Sequence, residues 1–199
     1  MKNAVLYCLL LMHFTLFAQP IITRDKTENH YQLSNILIEG ETNINGFAFS
    51  FNNSKINLNP TSENLNIASQ NNEIIEFYIP VRAFRGSNYL MEGDFQELLK
   101  ANTYPVVKVG IEKSKLRSIV ANSENTKINF YLTIAGVTRL ISGDYLINLC
   151  NKDEFVLQGT TNVKLTDFSI VPPKKMLGVL QVKDLIFIKF DIIISTLNS

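Results

Sequence analysis

Apolar and polar side chains alternate at a period of two along most of this sequence, the pattern of strands that bury one face. Phe47, Phe49 and Phe51 alternate with Ala48 and Ser50, and Ile75, Phe77, Ile79 and Val81 with Glu76, Tyr78 and Pro80. Val107, Val109 and Ile111 oppose Lys108 and Glu112, and Ile128, Phe130, Leu132 and Ile134 oppose Asn129, Tyr131 and Thr133. Phe155, Leu157, Gly159, Thr161, Val163 and Leu165 share a side against Glu154, Gln158, Asn162 and Lys164. A last run sets Ile186, Ile188, Phe190, Ile192 and Ile194 against Lys189 and Asp191. With weaker strands near 31–40 and 137–149, the count is about eight. That predicts an all-β, antiparallel domain.

The breaks between strands are rich in Asn, Ser and Gly: 52–54, 69–72, 121–125 and 150–153. The runs flanking Ala135-Gly136 are so close that they must form a hairpin. One segment has another period. Met91, Phe95, Leu98 and Leu99 fall at helical spacing, so a short helix is expected over 91–100, with Asp94 as its cap and Pro105 barring extension.

Eight strands with one apolar face each close as a small barrel or pack as a sandwich. A barrel spanning a membrane would be apolar outside. Here Lys108, Glu112, Lys164, Lys189 and Asp191 lie opposite the apolar faces and would fall in lipid. The expectation is a barrel that stands in water, not an integral membrane protein.

The N-terminus has the layout of a secretory signal peptide: Met1-Lys2-Asn3, an apolar run from Ala4 to Phe17, and Ala18 before the expected cleavage. Residues 1–18 are the expected signal peptide, 19–29 a polar leader and 30–197 the barrel domain, giving a periplasmic or secreted protein. Of 19 basic residues only Lys2 leaves with the peptide, which makes the mature chain 18 against 18, with no basic tract. Nucleic acid is therefore not an expected partner. Cys150 becomes the sole cysteine, so no intrachain disulfide can form, and its place at the end of a strand suggests a buried thiol. The oligomeric state is not legible.

Catalysis is hard to stage with this inventory. His30 and Cys150 are some 120 residues apart, too few and too distant for a zinc, copper or iron site. The acidic residues do not follow an EF-hand spacing. No G-x-S-x-G elbow, phosphate loop or dinucleotide fingerprint occurs. No cofactor, no metal and no enzymatic activity are expected. The chain has instead 13 Phe and many Ile and Leu without any Trp. These residues either fill the core or line an apolar cavity, with Phe84, Met91, Phe95 and Met176 as its lid. The expected lining adds Phe49, Phe77, Ile79, Leu98, Val107, Val109, Phe130, Leu132, Phe155, Leu157, Phe168, Ile188 and Phe190. Almost no charge falls on these faces, so the ligand would be an uncharged chain with any polar head at the mouth.

The order of segments resembles a known family. Leu132-Thr133-Ile134-Ala135-Gly136-Val137-Thr138 is similar to the L-T-I-x-G-V-T hairpin of the YceI-like family. Gly93-Asp94-Phe95, then Tyr104-Pro105-Val106-Val107-Lys108-Val109, resembles its D-F…Y-P-x-I-x-F block. Thr166-Asp167-Phe168-Ser169-Ile170 resembles its D-F-G-I element, with Ser169 in place of Gly. The family's R-D-x-H-L stretch is here Tyr89-Leu90-Met91-Glu92-Gly93. Over residues 31–196 the resemblance implies an extended, lipocalin-like eight-stranded barrel with one short inserted helix, exported to the periplasm, holding a polyisoprenoid or similar hydrophobic lipid. The alternative is an extracytoplasmic protein-interaction or stress-related module with a closed, ligand-free barrel.

Overall fold

The computed structural model describes residues 28–53, 74–121 and 127–197. The expected signal peptide, most of the leader and the breaks at 69–72 and beyond Ala121 lie outside the described residues. In chain order the elements are β1 (Glu28–Thr42), β2 (Gly46–Asn52), β3 (Ile74–Pro80), α1 (Tyr89–Leu98), β4 (Val106–Glu112) and α2 (Lys113–Ala121). They continue with β5 (Lys127–Ile134), β6 (Val137–Asn151), β7 (Glu154–Lys164), the two-residue β8 (Lys174–Lys175) and β9 (Leu180–Leu197). Eight strands form one antiparallel sheet in the order β2-β1-β9-β7-β6-β5-β4-β3, and β8 pairs with β9 alone. The sheet curls into a half-barrel.

The alternation reads out directly as burial. Phe49 and Phe51, Ile75, Phe77 and Ile79, Val107, Val109 and Ile111, Ile128, Phe130 and Leu132 are all buried on the inner face. Leu157, Val163, Ile186, Phe190, Ile192 and Ile194 complete that face on β7 and β9. Cross-strand register stacks these residues in rows. One row runs Phe47, Gly40, Ile186, Val163; the next runs Phe49, Ile38, Ile188, Thr161. Below them come Phe51, Ile36, Phe190, Gly159 and Tyr145, then Leu33, Ile192, Leu157 and Ile147. Gly159 is needed in its row, because the Phe190 ring occupies the space a side chain there would take.

Antiparallel neighbours put the connections at two ends. One end gathers the turn 43–45, the segment 81–105 with α1, the turn 135–136 and the segment 165–179. The other holds α2 and the β6–β7 turn at 152–153. The hairpin expected at Ala135-Gly136 is present, with φ of 47° and 81°. Gly136 serves both the left-handed backbone and the Tyr104 ring packed against it.

Three expectations are corrected. Helix α1 starts before Asp94 and is capped by Asn88, whose Oδ1 accepts the Met91 N–H at 3.0 Å. A second helix, α2, follows β4 directly and buries Leu116 and Ile119, three residues apart. Cys150 is exposed rather than buried, because it sits at an irregularity in the β6–β7 register, past the Asp144 position where the described β5 pairing ends, and Asn148 to Asn151 all face solvent.

Tyr145 is buried, and its hydroxyl finds no hydrogen-bond partner among the described residues. Burial pushes its phenol pKa up. An unsatisfied buried hydroxyl costs about 1–3 kcal/mol. Tyr145→Phe is therefore expected to raise stability by about 1 kcal/mol in urea unfolding; a loss of that size would show that the hydroxyl is bonded.

Candidate functional site

The upper rows do not meet across the half-barrel. They enclose a cavity of about 1250 Å³ that opens at the end carrying α1 and the segment 165–179. Leu33, Ile36, Ile38, Val163, Ile186 and Ile188 form one wall, from β1, β7 and β9. Val107, Val109, Phe130 and Leu132 form the opposite wall, from β4 and β5. Deep inside, Phe130 and Phe190 meet edge to face at 5.5 Å between ring centroids.

Aromatic rings form the side of the mouth where sheet edge β2 faces α1. Phe95 of α1 stacks on Phe49 at 4.3 Å and lies 5.3 Å from Phe84. Phe84 in turn is 5.9 Å from Phe51. The backbone joins here too, where Ser50 and Arg85 exchange N–H···O=C bonds of 2.9 and 2.8 Å. The short turn Leu165–Phe168 adds Leu165 and Phe168 to the lining. It is held by Asp184, which accepts the Thr166 N–H at 2.9 Å and the Thr166 hydroxyl at 2.7 Å. These bonds hold the Asp184 carboxyl below the usual range. Ser169 ends the turn with φ of 59°, the left-handed conformation that suits glycine.

Two buried polar side chains line the cavity, and both are satisfied. Thr161 donates to the Ser142 carbonyl at 2.9 Å, and Thr42 to the Asn45 carbonyl at 2.9 Å. The charged lining residues are Arg85, Asp94, Glu97, Lys100, Lys174 and Lys175, and every one is exposed at the rim. Lys175 and Asp94 pair at 2.9 Å across the mouth, and that bond raises the lysine's pKa. Among the described residues the interior therefore offers shape and apolar surface, with no ionisable side chain lining it below the rim. Among the described residues no group of three or more His, Cys, Asp or Glu is placed to hold a metal. His30 is exposed on β1, near the far end.

Of the residues expected to line a cavity, the structure brings together Phe49, Phe84, Met91, Phe95, Leu98, Val107, Val109, Phe130, Leu132, Phe168, Ile188 and Phe190. Phe77 and Ile79, on edge strand β3, are buried but do not line it. Phe155 and Leu157 belong to the lower rows, which pack the far half of the interior. The Met176 side chain lies outside what is described. Ile36, Ile38, Phe47, Val163 and Ile186 line the cavity without having been singled out. Ile36 and Ile38 pair across strands with Phe190, Phe49 and Ile188, while Phe47, Val163 and Ile186 lie on the same alternating runs as residues that were chosen.

A curled antiparallel sheet around an apolar cavity, with the charged lining residues at the rim, is a lipocalin-like arrangement. The chain belongs to the YceI-like domain family, whose profile matches residues 28–194. No curated protein matches the sequence. Among solved structures, it is similar to a polyisoprenoid binding domain from Saccharophagus degradans implicated in plant cell wall breakdown. That likeness has a TM-score of 0.53 at 11% identity and covers 85% of this chain and 100% of the other. It is also similar to BcnA of Burkholderia cenocepacia, with a TM-score of 0.50 at 15% identity over 80% and 95% of the two chains. At these identities the likeness is one of fold. No helix among the described residues is long and apolar enough to cross a membrane.

Asp184 supplies a test of the turn under the cavity. Its carboxyl titrates lower in the folded chain than in the unfolded one, so its contribution is complete at neutral pH and is lost as pH falls through the folded value. Asp184→Ala should unfold at lower urea than the parent near neutral pH, and the gap should narrow at a pH below the ordinary carboxylate range. A gap of equal size at both pH values would show that the carboxylate does not hold Thr166.

Proposed function

We propose that the protein is a non-catalytic lipid binder that holds a polyisoprenoid or a similar apolar chain in this cavity. The observation that carries the reading is the distribution of polarity. Among the described residues the interior from Phe49 to Phe190 is apolar apart from two buried, satisfied threonines, and the charged lining residues sit at the rim. Such a site favours a long uncharged chain whose polar head remains at the mouth. At about 1250 Å³ the cavity exceeds the roughly 300–1,000 Å³ of ordinary small-molecule pockets. Each CH₂ removed from water contributes about 0.8 kcal/mol, so a few C5 units suffice for tight binding without any catalytic group. The polyisoprenoid-binding name of the Saccharophagus degradans neighbour points the same way.

The proposal includes export. The positive start, the apolar run and Ala18 support cleavage of residues 1–18 and a periplasmic or secreted mature chain.

Native mass spectrometry of the chain expressed with its leader and recovered from the periplasm tests both parts. The expected result is a polypeptide lacking residues 1–18 that carries one hydrophobic molecule, removable by organic extraction. A bare chain that also ignores added prenyl lipids would sink the lipid reading and leave the protein-interaction alternative.

Phe130→Ala enlarges the cavity floor and is expected to cost about 3–5 kcal/mol of stability. Where the variant still folds, it should shift the bound population toward longer or bulkier chains. An unchanged lipid profile in a folded variant would mean that the ligand does not reach Phe130.

A further inference from the structure

The cavity opens among side chains that a solvated rim has no use for. The three most exposed large hydrophobic residues among those described are Leu177, fully exposed, Val171 at 81% and Tyr89 at 78%. All three lie on the segments that surround the mouth, where Ile44, Leu90 and Val179 are exposed as well. Hydrogen bonds gather these segments at one place. Asn43 of the β1–β2 turn donates to the Val179 carbonyl and accepts the Gln181 N–H, and Lys175 pairs with Asp94 of α1.

Leu177 is doubly disfavoured in water. It and Gly178 form the turn between β8 and β9 in left-handed conformation, with φ of 55° and 91°. Left-handed positions are best served by Gly or Asn, and a leucine there strains the backbone and gains no burial. Charge adds a direction. Among the residues lining the cavity, Arg85, Lys100, Lys174 and Lys175 stand against Asp94 and Glu97, an excess of two cations in a chain of 19 basic and 18 acidic residues.

We infer that this rim is a docking surface for an anionic lipid bilayer, set so that the cavity mouth faces the membrane while lipid enters or leaves. The inference rests on the lipid-binding reading, since a mouth pressed on a bilayer matters only if the cavity exchanges a chain with it. Aliphatic tips insert below the headgroups, Tyr89 sits at their level, and the lysines meet the lipid phosphates. Docking of this kind strengthens with anionic lipid and weakens with salt.

The test is co-flotation of the mature protein with vesicles of phosphatidylcholine, alone or with an equal part of phosphatidylglycerol. The parent should float with the anionic vesicles, less with the neutral ones, and less in high salt. The double variant Val171→Asp/Leu177→Asp should bind at least about tenfold more weakly. Aspartate tolerates the left-handed turn, and both sites are exposed, so folding should persist and circular dichroism checks it. Tyr89→Asp, on a separate element, should weaken flotation too. Native mass spectrometry of the same samples keeps the two ideas apart. A lipid-loaded parent that does not float, or variants that float as well as the parent, would overturn the docking surface and leave the lipid reading intact. A floating parent whose cavity never carries lipid would overturn the lipid reading instead. A parent that dimerises through the rim and ignores vesicles would make it a self-association surface and end the membrane proposal.

Discussion

The exchange of hydrogen bonds between Ser50 and Arg85 is the constraint on which the rest of the molecule turns. A sheet that starts at β2 and ends at β3 has two open edges. In a closed barrel those edges pair along their length. Here, among the described residues, one bridge joins β2 to the segment just after β3, and side chains complete the join. Phe49 and Phe51 of β2 meet Phe95 and Phe84 ring to ring across that seam, and Phe47 packs on Phe49 behind them. Aromatic pairs add about 0.5–1.5 kcal/mol each beyond their burial, and rings can slide without breaking a hydrogen-bonded ladder. The seam thus closes the wall beside the mouth with one backbone bridge and packed rings.

Below the seam the two halves of the interior differ because register gives each row its own filling. Ile192, Leu157 and Ile194 are inaccessible to solvent and pack the far half, with Leu116 and Ile119 of α2 buried at the same end. In the upper half the rings of Phe47 and Phe190 lie over Gly40 and Gly159, close against the sheet, and Thr161 stands where the lower rows carry larger aliphatic side chains. The two expectations drawn from the sequence, an open barrel and a packed one, therefore each hold for part of the interior.

The fold was legible because period two is insensitive to length and connection. Every run that alternates is a strand, and its apolar side faces inward. The cavity was legible only in part, for a geometric reason. Alternation states which face a side chain takes but not its height along the barrel, so Leu157 and Phe190, inward on neighbouring strands, look alike in sequence. Only their register separates a packing residue from a lining one. Cys150 misled in a related way, since it stands at a register irregularity where β6 has run past its described pairing with β5. Among its described side chains helix α2 buries Leu116 and Ile119, too short a pattern to stand out from a break. Leu177 could not be noticed at all without its backbone angles.

Size gives the cavity its meaning. A sealed, dry void costs about 24 cal/mol per Å³, so one of 1250 Å³ would cost about 30 kcal/mol. Domains are stable by roughly 5–15 kcal/mol, so no sequence of this length could carry such a void. The cavity has to admit water or an apolar guest, and its walls favour the guest. Water needs two to four polar partners. The buried threonines inside already spend their hydroxyl protons on carbonyls of the chain. Open to the rim and poor in free polar groups, the cavity gains most when an apolar chain fills it, and that gain is the physical basis for binding.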